Sequence, residues 1–382
     1  MRIVVGNSTV ASYPQGGGHW MVTIQCLLGL QDLGHDVFLL GLLRSRGNPN
    51  ADSRFVNTYF ERLKPFELHH HAALLVMPQD VPGHDLRRAD IYGIGMQGLV
   101  DIIDSADMLW NNCGNVASPL LDRFRHRVYL DGDPGHTHVS ALTVNMQIER
   151  HHVLLTAGLN VNGSDSEVPT LGLKWNTYRW FVYLPLWRPA PEPEATAPFS
   201  SVTHWNWGEL WLNDRVLSIS KRDAYLRYVD LPSSTGRPFE LATYLDPQDP
   251  TGDRDVLLEH GWQLADPWHE CDTPENYRRY ISKSRAEISC PKPVYRELKT
   301  GWFSDRSACY LASGRPVLAE DTGFSKYLPT DAGLLTFHDL PGAVAGVAEI
   351  DAHYTHHSRA ARRFAEEHLD SRKCLRAMLD VC

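Results

Sequence analysis

GWFSDRSACYLASGRPVLAEDTGF, residues Gly301 to Phe324, holds in order the signals for a loop, a short helix, a stop, a buried strand and a turn. Ser304 and Asp305 are residue types that cap a helix start, and nothing from Arg306 to Ala312 interrupts a helix. Gly314 supplies a left-handed stop and Pro316 prevents continuation. Val317-Leu318-Ala319 then reads as an apolar strand, and its carboxyl end turns through Asp321-Thr322-Gly323-Phe324, the end of an α/β strand where ligands bind. This is half of a nucleotide-binding unit.

A helix that begins near Ser304 presents unpaired backbone N–H groups and a partial positive charge, which together favour an anion such as a diphosphate. Ser304 and Ser307 add hydroxyl donors, and Arg306 adds a permanent cation. The competing reading is an ordinary capped helix with Arg306 in solvent.

A chain of 382 residues exceeds what one core usually holds, so two domains are expected; 43% hydrophobic and 22% charged residues fit a globular protein. The net charge of −9 argues against a nucleic-acid partner, which calls for a clustered basic surface. No apolar run is long enough to span a bilayer, and MRIVVGNSTV enters a strand without a signal-peptide pattern, so a cytoplasmic location is expected. The 7 cysteines are scattered and never spaced as CxxC, which reads as reduced thiols.

At the other end of the chain, Arg2 to Val5 is a strand, Gly16-Gly17-Gly18-His19 a glycine loop and Met21 to Leu33 an apolar helix, the opening of a Rossmann-like unit. The loop is not GxGxxG, and Val37-Phe38-Leu39-Leu40-Gly41 carries no acidic residue, so a dinucleotide site is poorly supported. Three glycines let the backbone approach a bound group, or simply make the turn. From Arg44 to Arg88 the chain is polar and hard to assign, and Arg44 to Arg54 reads as a surface insertion. Arg127 to Leu130 is a strand that runs into Asp131-Gly132-Asp133-Pro134-Gly135-His136-Thr137-His138. Carboxylates and imidazoles at a strand end can deprotonate a hydroxyl, and Asp133 and His136 are the candidates; the plain alternative is that the carboxylates cap the turn. The Pro-rich run Arg188 to Pro193 is the best linker.

Cys309 to Leu318 followed by Asp321 to Phe324 resembles the donor-domain signature of GT-B glycosyltransferases, a helix ending in Ala-x-Gly-x-Pro-Val and then a glycine turn. The wording Gly301-Trp302-Phe303-Ser304-Asp305-Arg306-Ser307 with Leu311 to Val317 behind it is similar to a bacterial subgroup, as is the Asp131-x-Asp133-Pro134-Gly135 turn. The resemblance implies an α/β fold of two facing Rossmann-like domains with a cleft between them: residues 1–187 for the acceptor, 188–364 for the nucleotide-sugar donor, and 365–382 as a helix crossing back. It implies transfer of a sugar from a UDP- or dTDP-sugar to a small-molecule or glycan acceptor, as in bacterial natural-product or surface-glycan synthesis. No metal or other cofactor is required in that reading, and an oligomer is compatible with it.

The resemblance also assigns roles by position. Lys221 and Lys292 would join Ser304, Asp305, Arg306 and Ser307 at the diphosphate, the plain alternative for Lys221 being a solvated surface lysine; Thr322 and Gly323 would meet the nucleobase and ribose together with Trp262, whose indole equally suits a core; Gly16, Gly17, Gly18 and His19 would face the acceptor side of the cleft. One departure stands out. The retaining families carry two Glu residues flanking this loop and helix, and the matching positions are Gly301 and Cys309. That departure motivates a second hypothesis, a degenerate GT-B homologue that binds a nucleotide or a partner without transfer. An epimerase of the same fold is a third. A fourth is a GT-A-like enzyme in which Asp131 and Asp133 hold a divalent metal.

Overall fold

The computed structural model describes all residues 1–382. Runs of Val, Leu and Ile without alternation, such as Asp36–Arg44 (DVFLLGLLR), bury both faces and so form parallel strands covered by helices on either side. The first sheet has eight strands, β1 Arg2–Asn7, β2 Asp36–Arg44, β3 Ala72–Met77, β4 Asp90–Tyr92, β5 Met108–Asn112, β6 Arg127–Asp131, β7 Val153–Thr156 and β8 Asn176–Thr177, in spatial order β4-β3-β2-β1-β5-β6-β7-β8. All neighbours are parallel except β3 and β4, so β4 is an antiparallel edge.

The second half of the chain repeats the architecture. Its strands β9 Phe199–Val202, β12 Phe239–Ala242, β13 Trp262–Ala265, β14 Ala286–Ser289, β15 Val317–Glu320 and β16 Leu334–Phe337 are all parallel, in the order β13-β12-β9-β14-β15-β16. Strand order reverses between β1 and β5 in one sheet and between β9 and β14 in the other. At such switch points adjacent crossovers leave in opposite directions and open a crevice. Residues 188–196 between the halves contain no helix or strand. No helix is long and apolar enough to cross a membrane.

The stretch Gly301 to Phe324 folds as its turn chemistry dictates. Ser304 is the N-cap of the helix Asp305–Ala312 and accepts the Arg306 N–H at 3.2 Å; Gly314 has φ +72°, and β15 follows directly. The last helix, Ser371–Leu379, places Leu375 and Met378 in the hydrophobic core of the first sheet, where a Cβ on Gly29 would lie 2.6 Å from Leu375 Cδ1. Two elements depart from the sequence reading. The unassigned stretch holds the helix Pro49–Leu63 and the fully buried strand β3. The loop after β9 contains a hairpin, β10 Glu209–Leu212 and β11 Arg215–Ser218, joined by Asn213-Asp214 with Asn213 at φ +54°.

That hairpin ties the halves together. Leu217 and Ile219 belong to the core of the first sheet, with Leu210 and Leu212 packed against it, while Trp211 and Val216 on the opposite face stay exposed. Arg215 completes the strap with a 2.5 Å bond to Glu167.

Candidate functional site

Four loops at the carboxyl ends of strands β1, β6, β9 and β14 meet. From the first half come the turn after β1, with Tyr13 to His19, and the turn after β6, with Asp131 to His136; from the second come the loop after β9 and the segment Cys290 to Tyr295 after β14. They are joined by side chains at hydrogen-bond distance. Asp133 accepts from Lys292 Nζ at 2.6 Å, from His136 Nδ1 at 3.2 Å and from the Tyr295 hydroxyl. His19 Nε2 lies 3.5 Å from His204 Nε2, with the rings stacked at 5.7 Å between centroids, and Trp207 abuts His204 edge-on.

The electrostatics follow from the crowding of basic side chains against one another in the cleft. Lys221 has no carboxylate or carbonyl on its ammonium and lies over the Trp302 ring at 5.5 Å. Burial, reinforced by Arg306 and Lys292, pulls its pKa down to about 7. Burial, then His19, Lys221 and Lys292, pulls His204 down to about 4; burial and Lys292 lower His19 as well. Burial opposes ionisation of Asp133, yet the Lys292 ammonium and the hydrogen bond from His136 outweigh it and hold the carboxyl well below the usual range. Asp133 is therefore an ionised acceptor, not a proton carrier near neutral pH. Burial and the neighbouring Asp133 push the Tyr295 phenol well up, which keeps it a donor.

The structure thus brings His19, Asp133, His136, Lys221 and Lys292 into one cleft, and it assigns other residues elsewhere. Lys292 reaches the cleft, but its ammonium is committed to Asp133 and flanked by Trp207 and Tyr295 at 5.6 and 5.5 Å. Arg306 is not an open cation. Its guanidinium is buried, paired with Glu287 at 2.5 Å and bonded to Ser289 and to the Val202 carbonyl, because the helix start sits against β14 with a buried carboxylate opposite. Trp262 is core, not a stacking platform: it is 2% exposed, donates to the Val229 carbonyl at 2.8 Å and packs on Tyr225 and Phe239. Thr322 is likewise internal, donating to the Trp302 carbonyl at 2.7 Å, and Gly323 uses φ +97° to turn against Asn160 of the first half.

Ser304 serves as cap, Ser307 Oγ is buried with no partner, and Asp305 is half-buried in the first turn with its carboxyl raised by burial against the pull of Arg306 and Lys221. The glycine loop has a reason that its composition did not disclose. The Gly17 N–H donates to the Cys271 carbonyl at 2.9 Å, and a Cβ there would lie 2.4 Å from the carbonyl oxygens of both Cys271 and Thr273. Gly18 sits under the Tyr277 ring. The glycines let two backbones from opposite halves touch, and the N–H groups of Gly18 and His19 stay without an acceptor in the protein. Gly17→Ala is expected to destabilise the contact by about 1–3 kcal/mol, read as a lower thermal midpoint; an unchanged midpoint would mean that the halves are free to separate there.

A two-carboxylate metal site does not form at Asp131 and Asp133. Asp131 is fully buried; Oδ2 takes the Thr156 hydroxyl at 2.7 Å and lies 3.3 Å from His138 Nε2, while Oδ1 takes the Asp133 N–H, and Asp133 faces away toward Lys292. Glu349, His353 and His357 also cluster, far along the chain on the last helices. Nδ1 of the buried His357 accepts the Gly333 N–H at 3.2 Å, so its proton sits on Nε2 facing Glu349 and that nitrogen has no lone pair for a cation.

Sequence reading missed His204, Trp207, Tyr295 and Asn160. The turn dipeptide Asn213-Asp214 between two alternating runs was the available sign of the hairpin that positions Trp207. For Asn160, whose side chain donates to the Lys299 carbonyl at 2.8 Å across the halves, nothing local marks the role.

No family model matches the chain, and no curated protein matches it. Among solved structures it is similar to an alpha-glucosyltransferase in complex with UDP, at 12% identity and TM-score 0.58, covering 100% of this chain and 99% of the other. Sucrose-phosphate synthase from Thermosynechococcus elongatus matches at 11% identity and TM-score 0.57, over 100% and 98%. Anabaena HepE in complex with UDP and glucose matches at 12% identity and TM-score 0.56, over 100% of both chains. The fold is accordingly GT-B, two Rossmann-like domains facing a cleft.

Proposed function

We propose that the chain is a glycosyltransferase that takes a sugar from a nucleotide diphosphate sugar, with UDP as the nucleotide, and passes it to a hydroxyl acceptor held on the first domain. The observation that carries this reading is Lys221, an ammonium with no anionic partner, half-buried beside His19, His204 and Lys292 where both sheets reverse strand order. Such a site lowers the cost of bringing in a diphosphate, because the anion restores the charge that burial suppresses. UDP-binding folds of the same shape support it.

In the reaction the acceptor oxygen bonds to the anomeric carbon as the bond from that carbon to the UDP oxygen breaks, and UDP departs with the electron pair. His136 takes the hydroxyl proton. Its Nδ1–H is held by ionised Asp133, which leaves the Nε2 lone pair free to accept; the geometry resembles the base-and-orienter pairs of acyl transfer. Lys221 and the unpaired N–H groups of Gly18 and His19 stabilise the charge that grows on the leaving phosphate. This chemistry calls for no metal ion.

Two measurements decide between transfer and binding alone. Calorimetric titration with UDP should show binding, and UDP release should occur across a panel of donor sugars when acceptors are added. Binding without release over a broad panel points instead to a degenerate homologue, the reading that Gly301 and Cys309 favour. Product formed with no acceptor present points to an epimerase.

The Lys221 shift adds a pH signature. Free Lys221 is charged only below about 7, and a bound diphosphate raises its pKa, so binding takes up a proton above that pH. The UDP association constant is expected to fall by up to about tenfold per pH unit above about 7. Lys221→Met should remove that slope and weaken binding by roughly 1.5–3 kcal/mol at low pH. A pH-independent affinity in the wild type would take Lys221 out of the site.

A further inference from the structure

A second groove opens on the first domain beside the cleft. It measures about 290 Å³ and is formed by one face of the helix Pro49–Leu63, with Arg54, Phe55 and Thr58, by Arg46 ahead of that helix, and by Pro14 and Gln15 of the turn after β1. The chain segment between groove and cleft is shared. Pro14 and Gln15 wall the groove, while the preceding Tyr13 abuts His19 and His204, at 6.2 and 6.0 Å between ring centroids.

Charge is what distinguishes this groove. Arg46 has no hydrogen-bond or ion-pair partner on its guanidinium, which packs over the Phe55 ring at 4.5 Å; Arg54 gives only its Nε, to the Asn50 carbonyl at 3.4 Å. Many other arginines of the chain are paired with carboxylates, whereas Arg46 and Arg54 both face this groove without one. No carboxylate lines the groove. Asp52, the nearest acid in sequence, is occupied by the Ser45 hydroxyl at 2.6 Å and by the Arg46 backbone N–H at 3.1 Å. The Phe55 contact holds the Arg46 plane without consuming its N–H donors, which leaves both forks for an oxyanion.

We propose that this groove is the anion-reading part of the acceptor site and that the acceptor is a hydroxylated molecule carrying a phosphate monoester. Two guanidinium forks match a dianionic tetrahedral group better than a single carboxylate. Gln15 and Thr58 supply neutral donors beside it, and the Tyr13 to Gln15 segment sets the acceptor hydroxyl toward the cleft. The inference rests on the glycosyl-transfer reading for its word acceptor, but the binding itself stands on the groove.

The test is titration of the UDP-saturated protein with three probes: glucose 6-phosphate, glucuronate and glucose. Glucose 6-phosphate is expected to bind at least tenfold more tightly than either of the others. The double variant Arg46→Ala/Arg54→Ala is expected to lose that advantage while its UDP affinity stays unchanged, since neither residue touches the nucleotide cleft. Equal affinity for glucose and glucose 6-phosphate, tighter binding of glucuronate, or a double variant that keeps the preference would each overturn the proposal. UDP binding, measured first in the same cell, tests the nucleotide reading by itself; without it the three probes are titrated into the free protein and the groove is judged on the same ratios.

Discussion

His136→Ala is expected to lower kcat/KM for the proposed sugar transfer by roughly 10²–10⁴-fold, the range for removal of a positioned base, and to leave the dissociation constant of UDP where it was. The split is expected because His136 contacts Asp133 and no group of the phosphate side. Asp133→Asn should be nearly as damaging for a different reason. An amide oxygen still accepts from one donor, but the charge that holds Lys292 at 2.6 Å and fixes the His136 Nδ1–H tautomer is gone. Because Lys292 and His136 keep the Asp133 carboxyl ionised far below neutral pH, against its burial, the acid limb of the pH–rate profile belongs to another group. In the proposed mechanism proton removal by His136 accompanies direct displacement, so the product is expected to have the opposite anomeric configuration to the donor. A product that retains configuration, or a His136→Ala enzyme with wild-type kcat, would remove the base from the mechanism.

What the sequence disclosed and what it withheld divide along a physical line. Gly301 to Phe324 was legible because its signals are local: Ser304 caps, Gly314 turns left-handed, Pro316 stops, and each acts within a few residues. The Asp133-His136 pair was legible for the same reason, since three residues on a short turn already bring them together. Pairings across the chain were not. Arg306 and Glu287 are separated by 19 residues and Asp133 and Lys292 by 159, so an arginine that reads as a phosphate ligand can equally face a buried carboxylate. Trp262 illustrates the limit for aromatic residues: indole serves a core and a nucleobase equally well, and only the fold, through the Val229 carbonyl and the Tyr225 ring, decides. The triglycine loop reads in sequence as a place where backbone approaches a bound group, whereas at Gly17 the neighbour is the protein's own backbone at Cys271 and Thr273, a pairing that no local signal marks.

Arg306→Ala is expected to cost about 3–5 kcal/mol of stability, the price of leaving one charge of a buried pair alone. Glu287 is completely buried, its Oε1 sits 2.5 Å from Arg306 Nε and its Oε2 has no partner at all. Removal of the guanidinium strands that carboxylate between β9 and β15 and also frees the Val202 carbonyl and the Ser289 hydroxyl that Arg306 satisfies. The pair is coupled: burial disfavours the Arg306 charge, and Glu287 more than compensates, holding the guanidinium protonated. Glu287→Gln should therefore be damaging alone, whereas the volume-matched double change Arg306→Met/Glu287→Leu should recover most of the loss, because neither charge is then left in the interior. The measurement is denaturant unfolding followed by a probe in each domain, since the two halves need not melt together. This outcome also separates the two roles open to Arg306. A residue that grips phosphate would weaken UDP binding and leave the second domain's unfolding midpoint unmoved; a residue that neutralises Glu287 lowers that midpoint first, and any change in UDP affinity follows from the loosened fold.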